Sequence, residues 1–365
     1  MEKRIPDTMH AVLLTGYGGF DKLEYRTDVP IPEPGPDDVL IQVGAAGLNN
    51  TDINTRIGWY SKTVTTDTNQ GGSEGFETVN PDDASWQGMP LTFPRIQGAD
   101  CCGRIAAVGD AVAKERLGER VIVRNMLRSY VNYRPFECWT LGSECDGAFA
   151  QFVKAPAKES YAINCEWTDA ELASIPCAYS TAENMLHRVS IESGEKVLIT
   201  GASGGVGSAA VQLAKRRGAH IIAVAGKAKV ENLKSLGAQS VINRGEPIAD
   251  AVGPNSIDAV IDLVAGPQWP ELLDVLKIGG RYACAGAIAG PLVELDVRTL
   301  YLKDLTLIGC TFQEDVVFEN LIRYIEQGEI QPLVAKTYSL KDIIIAQKDF
   351  LDKKFVGKLI VIPDG

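Results

Sequence analysis

The chain has 365 residues, 45% of them hydrophobic and 23% charged, with a formal net charge of −11. That length allows two domains with full cores, and the acidic balance argues against nucleic acid or an anionic membrane as a main partner. No apolar run is long enough to span a bilayer, and Met1 to His10 lack the apolar stretch of a secretion signal, so a soluble cytoplasmic protein is expected.

The first part reads as β-rich. His10 to Thr15, Val39 to Gly44, Arg104 to Gly109, Arg120 to Val123 and Phe149 to Lys154 read as short strands, with Pro30 to Asp37 as a proline-rich link. Short strands divided by Gly and Pro suggest a barrel-like domain. Ser61 to Pro90 interrupts this pattern with a polar, net acidic stretch that carries Phe76, Trp86 and Met89. Long loops in compact domains are functional or mobile, and this one reads as a mobile segment or lid. At Thr168 the texture changes. Thr168-Asp169-Ala170-Glu171 is a capping box that opens a short helix, stopped by Pro176, and a second helix is predicted from Tyr179 to Val189. Strands near Lys196, His220, Ser240, Ile257, Gly280 and Asp304 then alternate with helical patterns. That alternation predicts a parallel, doubly wound sheet. A helix from Val316 to Gln327, a stretch from Leu333 to Tyr338, a helix from Lys341 and a strand from Lys358 to Ile362 follow. Six strands already fill the sheet, so this tail is expected to return to the N-terminal domain.

Within the alternating part, Val197 to Thr200 is a short apolar strand that runs into Gly201-Ala202-Ser203-Gly204-Gly205-Val206-Gly207 and a helix from Gly205 to Arg217. Gly204 lets the backbone approach a pyrophosphate, Gly207 lets helix and strand pack closely, and the helix N-terminus offers free N–H groups. With a second strand at His220 to Val224, the order predicts a dinucleotide site. An NAD site places Asp or Glu at the end of that second strand. Here Lys227 and Lys229 follow it, and Arg244 follows the next strand. Cations without an acid suit a 2′-phosphate, so the expected cofactor is NADP. The eight cysteines include no C-x-x-C, which argues against a zinc ribbon.

These features resemble the medium-chain dehydrogenase/reductase superfamily over nearly the whole chain. Further matches are Gly47-Leu48-Asn49-Asn50-Thr51-Asp52, Arg56-x-Gly58-x-Tyr60, Gln97-Gly98-Ala99-Asp100-Cys101-Cys102-Gly103 and Lys303-Asp304-Leu305-Thr306-Leu307-Ile308-Gly309. The branch most similar is quinone oxidoreductase-like, NADPH-dependent and usually zinc-free. The resemblance implies an α/β fold with a GroES-like β-rich catalytic domain, residues 1–177 and 312–365, and a Rossmann NADP-binding domain, residues 178–311. It implies that Ser203, Gly204, Gly205, Val206 and Gly207 hold the pyrophosphate and that Lys229 meets the 2′-phosphate, with Arg244 close to a second such position. It also implies that Thr181, Leu263, Ala285 and Gly286 line the nicotinamide pocket.

The superfamily's zinc enzymes use a Cys, a His-Glu pair and a further Cys. Asn49, Ala99-Asp100 and Cys177 stand in those places. An amide and a methyl cannot close a zinc site, so no metal is expected. Without a Lewis acid, hydride addition to an activated C=C is the easier chemistry, and donors must meet the carbonyl oxygen. Asn49, Thr51 and Tyr60 are the candidates, with Asp100 orienting a donor or water. The expected partner is a small-molecule substrate, a quinone or enone. An alcohol or aldehyde oxidoreductase and a non-catalytic NADPH sensor or scaffold are the alternatives. The apolar strand Leu305 to Cys310 would form a sheet edge that must be covered or paired, and in similar proteins it pairs across a two-fold axis, which predicts a homodimer.

Overall fold

The computed structural model describes residues 5–364; the first four residues of the N-terminal segment read above lie outside them. The chain builds a GroES-like β-rich domain and a Rossmann domain. In the first, Thr8–Leu14 pairs with Leu23–Pro30 on one side and Arg95–Ile96 on the other. A larger sheet runs Ser160–Ala162, Arg120–Val123, Cys102–Val108, Asp38–Gly47, Lys358–Ile362, Val334–Ser339, and Phe152–Pro156 also pairs with Asp38–Gly47. The tail does return: Ile360 and Val361 pair antiparallel with Gly47 and Ala46. Leu359, Ile360 and Val361 are all buried, the continuous apolar run expected of a strand covered on both faces.

In the second domain six parallel strands lie in the order Ser240–Asn243, His220–Ala225, Lys196–Ile199, Ile257–Asp262, Leu276–Cys284, Thr306–Gly309. Strand order reverses beside Lys196–Ile199, so the glycine-rich turn that follows it sits at the topological switch point, where open α/β sheets bind ligands. The helix Gly205–Arg216 turns Ala209, Ala210, Val211, Leu213 and Ala214 onto this sheet. The helix Asp315–Glu326 joins the same core through Phe318, Leu321, Tyr324 and Ile325.

Some local predictions shift. The capping box at Thr168 forms, with Thr168 Oγ1 accepting from the Glu171 N–H. Pro176, however, opens the next helix, Pro176–Arg188, instead of stopping the previous one. Proline fits a first helical turn because the N–H it lacks has no partner there. Leu23–Pro30 is a strand that the hydrophobic pattern hid, because most of its side chains face solvent. The strand expected at Phe149 begins at Phe152, and the one expected at Gly280 begins at Leu276.

The stretch from Ser61 to Pro90 is folded onto the protein. Val64, Thr68, Ala84 and Ser85 are buried, and a short helix, Thr68–Gly71, is capped by Asp67. Arg56, fully buried, ties it down by donating to the carbonyls of Gly18 at 2.8 Å and Gly72 at 2.7 Å and to Gln347 Oε1 at 2.9 Å. Burial lowers the Arg56 pKa to about 10. The Thr68 N–H reaches across to the Ile288 carbonyl of the Rossmann domain at 3.3 Å. The polar composition that suggested mobility is spent on these internal hydrogen bonds.

Candidate active site

The glycine-rich turn forms the cradle. Gly204 caps the helix Gly205–Arg216, and a Cβ there would meet only the Gly201 carbonyl oxygen at 3.5 Å, so the approach from outside is open. Gly207 is the opposite case. A Cβ there would stand 2.3 Å from the Gly201 carbonyl oxygen and 2.6 Å from the Ala202 Cα, so only glycine lets the helix start this close to the strand. The residues fit a dinucleotide pyrophosphate: free helix N–H groups, an open turn and the positive end of a twelve-residue helix.

Beyond the second strand, Lys227 and Lys229 form a single helical turn. Arg244 lies over Gly226, whose Cβ position is 3.4 Å from a guanidinium nitrogen. Lys229 is held below the usual lysine range by partial burial and by the Arg244 charge. Its ammonium donates to the Phe355 carbonyl. Among the described residues none of the three cations pairs with a carboxylate. Two mutually repelling cations without a counter-ion are a place where an added anion is stabilised.

Buried Asp262 anchors the loops that follow the neighbouring strands. It accepts hydrogen bonds from Thr200 Oγ1, from the Tyr282 hydroxyl at 2.6 Å and from the Val264 N–H at 2.9 Å. These bonds join the ends of three neighbouring strands and bring Leu263, Ala285 and Gly286 together: the Ala285 N–H donates to the Asp262 carbonyl at 3.2 Å, and the Leu263 carbonyl stands 2.8 Å from where a Gly286 Cβ would be.

Next to them is a closed cleft of about 20 Å³ lined by Thr51, Trp86, Asn125, Met126, Thr140, Cys177, Thr181, Ala285 and Cys310. That is room for about one water molecule. Trp86 is the part of the cleft wall contributed by the Ser61 to Pro90 stretch, and it packs edge-on against Tyr60 at 5.0 Å between ring centroids. Phe76 instead fills the space beside Gly71, and Met89 faces solvent.

Of the four residues expected to do chemistry, Thr51 alone lines this cleft. Tyr60 stands behind it and donates to Thr51 Oγ1 at 3.1 Å. Burial raises the Tyr60 phenol further above its usual range, so it remains a donor to Thr51. Asn49 and Asp100 face elsewhere, into a buried cluster with Lys358. The Lys358 ammonium donates to Asp100 Oδ2 at 2.7 Å, to Asn49 Oδ1 at 2.5 Å and to the Leu48 carbonyl at 2.7 Å. Asp100 also accepts from Asn49 Nδ2 at 2.8 Å and from the Cys177 N–H at 2.6 Å. Gly47 permits this packing, because a Cβ there would lie 2.4 Å from Asp100 Oδ2. Asp52, one turn along, is pushed up to about 7 by burial, against the Asn49 and Gly98 N–H donors that favour its charged form.

The positions equivalent to zinc ligands are therefore joined by an ammonium. A zinc ion between Asn49, Asp100 and Cys177 would meet the Lys358 charge, and its ligand set would include an amide and only one thiol, so these residues do not fit the metal. Lys358 escaped sequence analysis. The signal was present: a lone lysine opens an otherwise apolar strand, and Asp100 sits in a small-residue run where a buried charge demands a partner.

Two family models match this chain: the alcohol dehydrogenase GroES-like domain over residues 35–164 and the zinc-binding dehydrogenase over residues 205–327. The acryloyl-coenzyme A reductase of Sulfurisphaera tokodaii is 28% identical over 97% of this chain and 100% of its own length. The quinone oxidoreductase of Homo sapiens is 27% identical over 97% and 98%. Among solved structures, a protein of Sinorhizobium meliloti 1021 provisionally assigned as an alcohol dehydrogenase is 45% identical, with a TM-score of 0.87, over 99% of this chain and 98% of that one. A cobalt- and zinc-bound thermostable alcohol dehydrogenase from Pyrobaculum aerophilum is 30% identical, with a TM-score of 0.80, over 98% and 100%.

Proposed function

Because this chain belongs to the medium-chain dehydrogenase/reductase superfamily, whose members are oxidoreductases that bind a nicotinamide cofactor, we propose that it is an NADPH-dependent reductase of quinones or α,β-unsaturated carbonyls that works without catalytic zinc. One observation carries the reading: Lys358 ties together Asn49 and Asp100, which stand at ligand positions of the zinc enzymes. A carbonyl substrate there has no Lewis acid to polarise it, and an activated C=C needs one least.

When bound, NADPH supplies the hydride. Gly205, Val206 and Gly207 would present N–H groups to its pyrophosphate, with Ser203 and Gly204 beside them. Lys227, Lys229 and Arg244 would face the 2′-phosphate. Leu263, Ala285, Gly286 and Thr181 would shape the nicotinamide pocket, with Thr181 and Ala285 on the wall of the cleft. Thr51, backed by Tyr60, offers a hydroxyl to substrate. Trp86 and Met126 give the cleft apolar walls that exclude water. The relatives named as quinone oxidoreductases and acryloyl-coenzyme A reductases support the same substrate class.

Purified protein is expected to consume NADPH with quinones or enones and to keep that activity after chelation. Turnover confined to saturated aldehydes and alcohols would replace this reading with an alcohol dehydrogenase. Tight NADPH binding with no turnover across the whole panel would point to a sensor or scaffold.

The reading includes a homodimer. Among the described residues Thr306–Gly309 pairs on one side only, and Leu307 within it is exposed. Leu292, Val297, Tyr301 and Leu302 are also exposed, between 59% and 70%. An open apolar edge of this kind is covered in native proteins, and a two-fold pairing of the same strand covers it. Light scattering at micromolar concentration should give twice the chain mass, and Leu307→Lys should give the monomer. A monomeric wild-type protein would remove the dimer from the reading.

No helix among the described residues is long and apolar enough to cross a membrane.

A further inference from the structure

Asn125 lies in the wall of the cleft between Thr51, Cys177, Thr181 and Ala285, and it is 1% exposed. Its two amide arms have different surroundings. Oδ1 accepts from the Ser180 hydroxyl at 3.3 Å, and Ser180 Oγ accepts in turn from Gln313 Nε2 at 3.0 Å. Ser180 and Gln313 are buried, and neither lines the cleft. The other arm, Nδ2, is buried and has no hydrogen-bond partner among the described residues. An amide donor left unpaired in an interior costs about 1–3 kcal/mol, and such groups recur where a ligand supplies the missing acceptor. The chain Gln313–Ser180–Asn125 holds the acceptor arm away from the cleft, which leaves the donor arm for the cleft.

We infer that Asn125 Nδ2 is the hydrogen-bond donor to the carbonyl oxygen of the substrate. This inference rests on the enone- and quinone-reductase reading above and names the group that stabilises the developing charge. As the hydride of the reduced nicotinamide forms a C–H bond at the β-carbon, the alkene electron pair shifts toward the carbonyl and the oxygen becomes negative. The Asn125 N–H strengthens its bond to that oxygen and keeps its proton. The α-carbon then takes a proton from solvent water, which leaves as hydroxide, and the neutral carbonyl is restored with the nicotinamide oxidised. A donor fixed before reaction, in a site with room for little water, is the arrangement that favours such a transition state.

The test uses Asn125→Asp, which keeps the shape and loses the donor, and Asn125→Leu. Four quantities are measured: the NADPH dissociation constant by fluorescence, kcat and KM with a small enone, and the absorbance of 4-(dimethylamino)cinnamaldehyde added to the complex with NADP+. The last needs no turnover, because a hydrogen bond to the aldehyde oxygen moves its absorption to longer wavelength. Wild-type protein should show the red shift, and both variants should lose it. In both variants kcat should fall at least about a hundredfold, with the NADPH dissociation constant within about twofold of wild type, a separation that a general structural defect would not produce. Should both variants fail to fold, Ser180→Ala, which frees the acceptor arm to turn, must weaken the shift. Retention of the red shift or of kcat in folded Asn125→Leu would overturn the inference, and so would a wild-type complex with no shift. A wild-type protein that shows the shift but turns over no enone or quinone would overturn the reductase reading and leave the donor assignment standing.

Discussion

Lys358→Met is expected to lower the unfolding free energy by about 3 kcal/mol, at the lower end of what breaking a buried ion pair costs. Both side chains are almost fully buried, Lys358 at 3% and Asp100 at 0% exposure. The substitution keeps the length of the side chain and removes its charge, so the loss comes from the carboxylate left behind and not from a cavity. Two donors remain on Asp100, the Asn49 amide and the Cys177 N–H, which is why the lower end applies. The neighbouring Asn49 Oδ1 and Leu48 carbonyl also lose their cation. For a chain of this size the melting temperature should drop by several degrees. The double variant Lys358→Met with Asp100→Asn should recover much of the loss, since no buried charge is then unpaired. An unchanged melting temperature in the single variant would show that Lys358 does not balance Asp100, and the case against zinc at this cluster would lose its main support.

The second large effect concerns the cofactor. Wild-type protein is expected to bind NADPH at least about tenfold more tightly than NADH. Arg244→Ala and Lys229→Ala should each weaken NADPH by about tenfold, roughly 1.4 kcal/mol, and leave NADH nearly unchanged. Charge-assisted hydrogen bonds are worth about 1.5–3 kcal/mol. The lower part of that range applies here because Arg244 is exposed and because Lys229 must leave the Phe355 carbonyl to meet a phosphate. The two losses should not add fully, since each cation already feels the other. Isothermal titration with both cofactors checks this. Equal affinities of the wild-type protein for NADPH and NADH would sink the assignment.

The strand, glycine-rich turn and helix start were legible in the sequence because their geometry is local. A strand, a glycine-rich turn and a helix start are consecutive residues, and the constraint at Gly207 comes from the Gly201 carbonyl only six positions away. The parallel sheet was legible for a similar reason, since alternation of short apolar strands with amphipathic helices follows from neighbouring residues. The expectation that no metal binds came from the family resemblance, which set Asn49 and Ala99 at ligand places of the zinc enzymes. Tertiary structure decided the rest. Asn49 and Asp100 looked like groups free to meet a substrate, and folding turned both toward Lys358, which is more than 250 positions from either one in the chain. Asn125 carried no sequence signal at all, because an asparagine after an apolar strand is ordinary. It becomes informative only when Ser180 occupies one amide arm, the other is left unpaired among the described residues, and the residue lines the cleft. A buried polar group is defined by what it is paired with, and pairing across distant segments depends on packing, which the order of residues along the chain does not display.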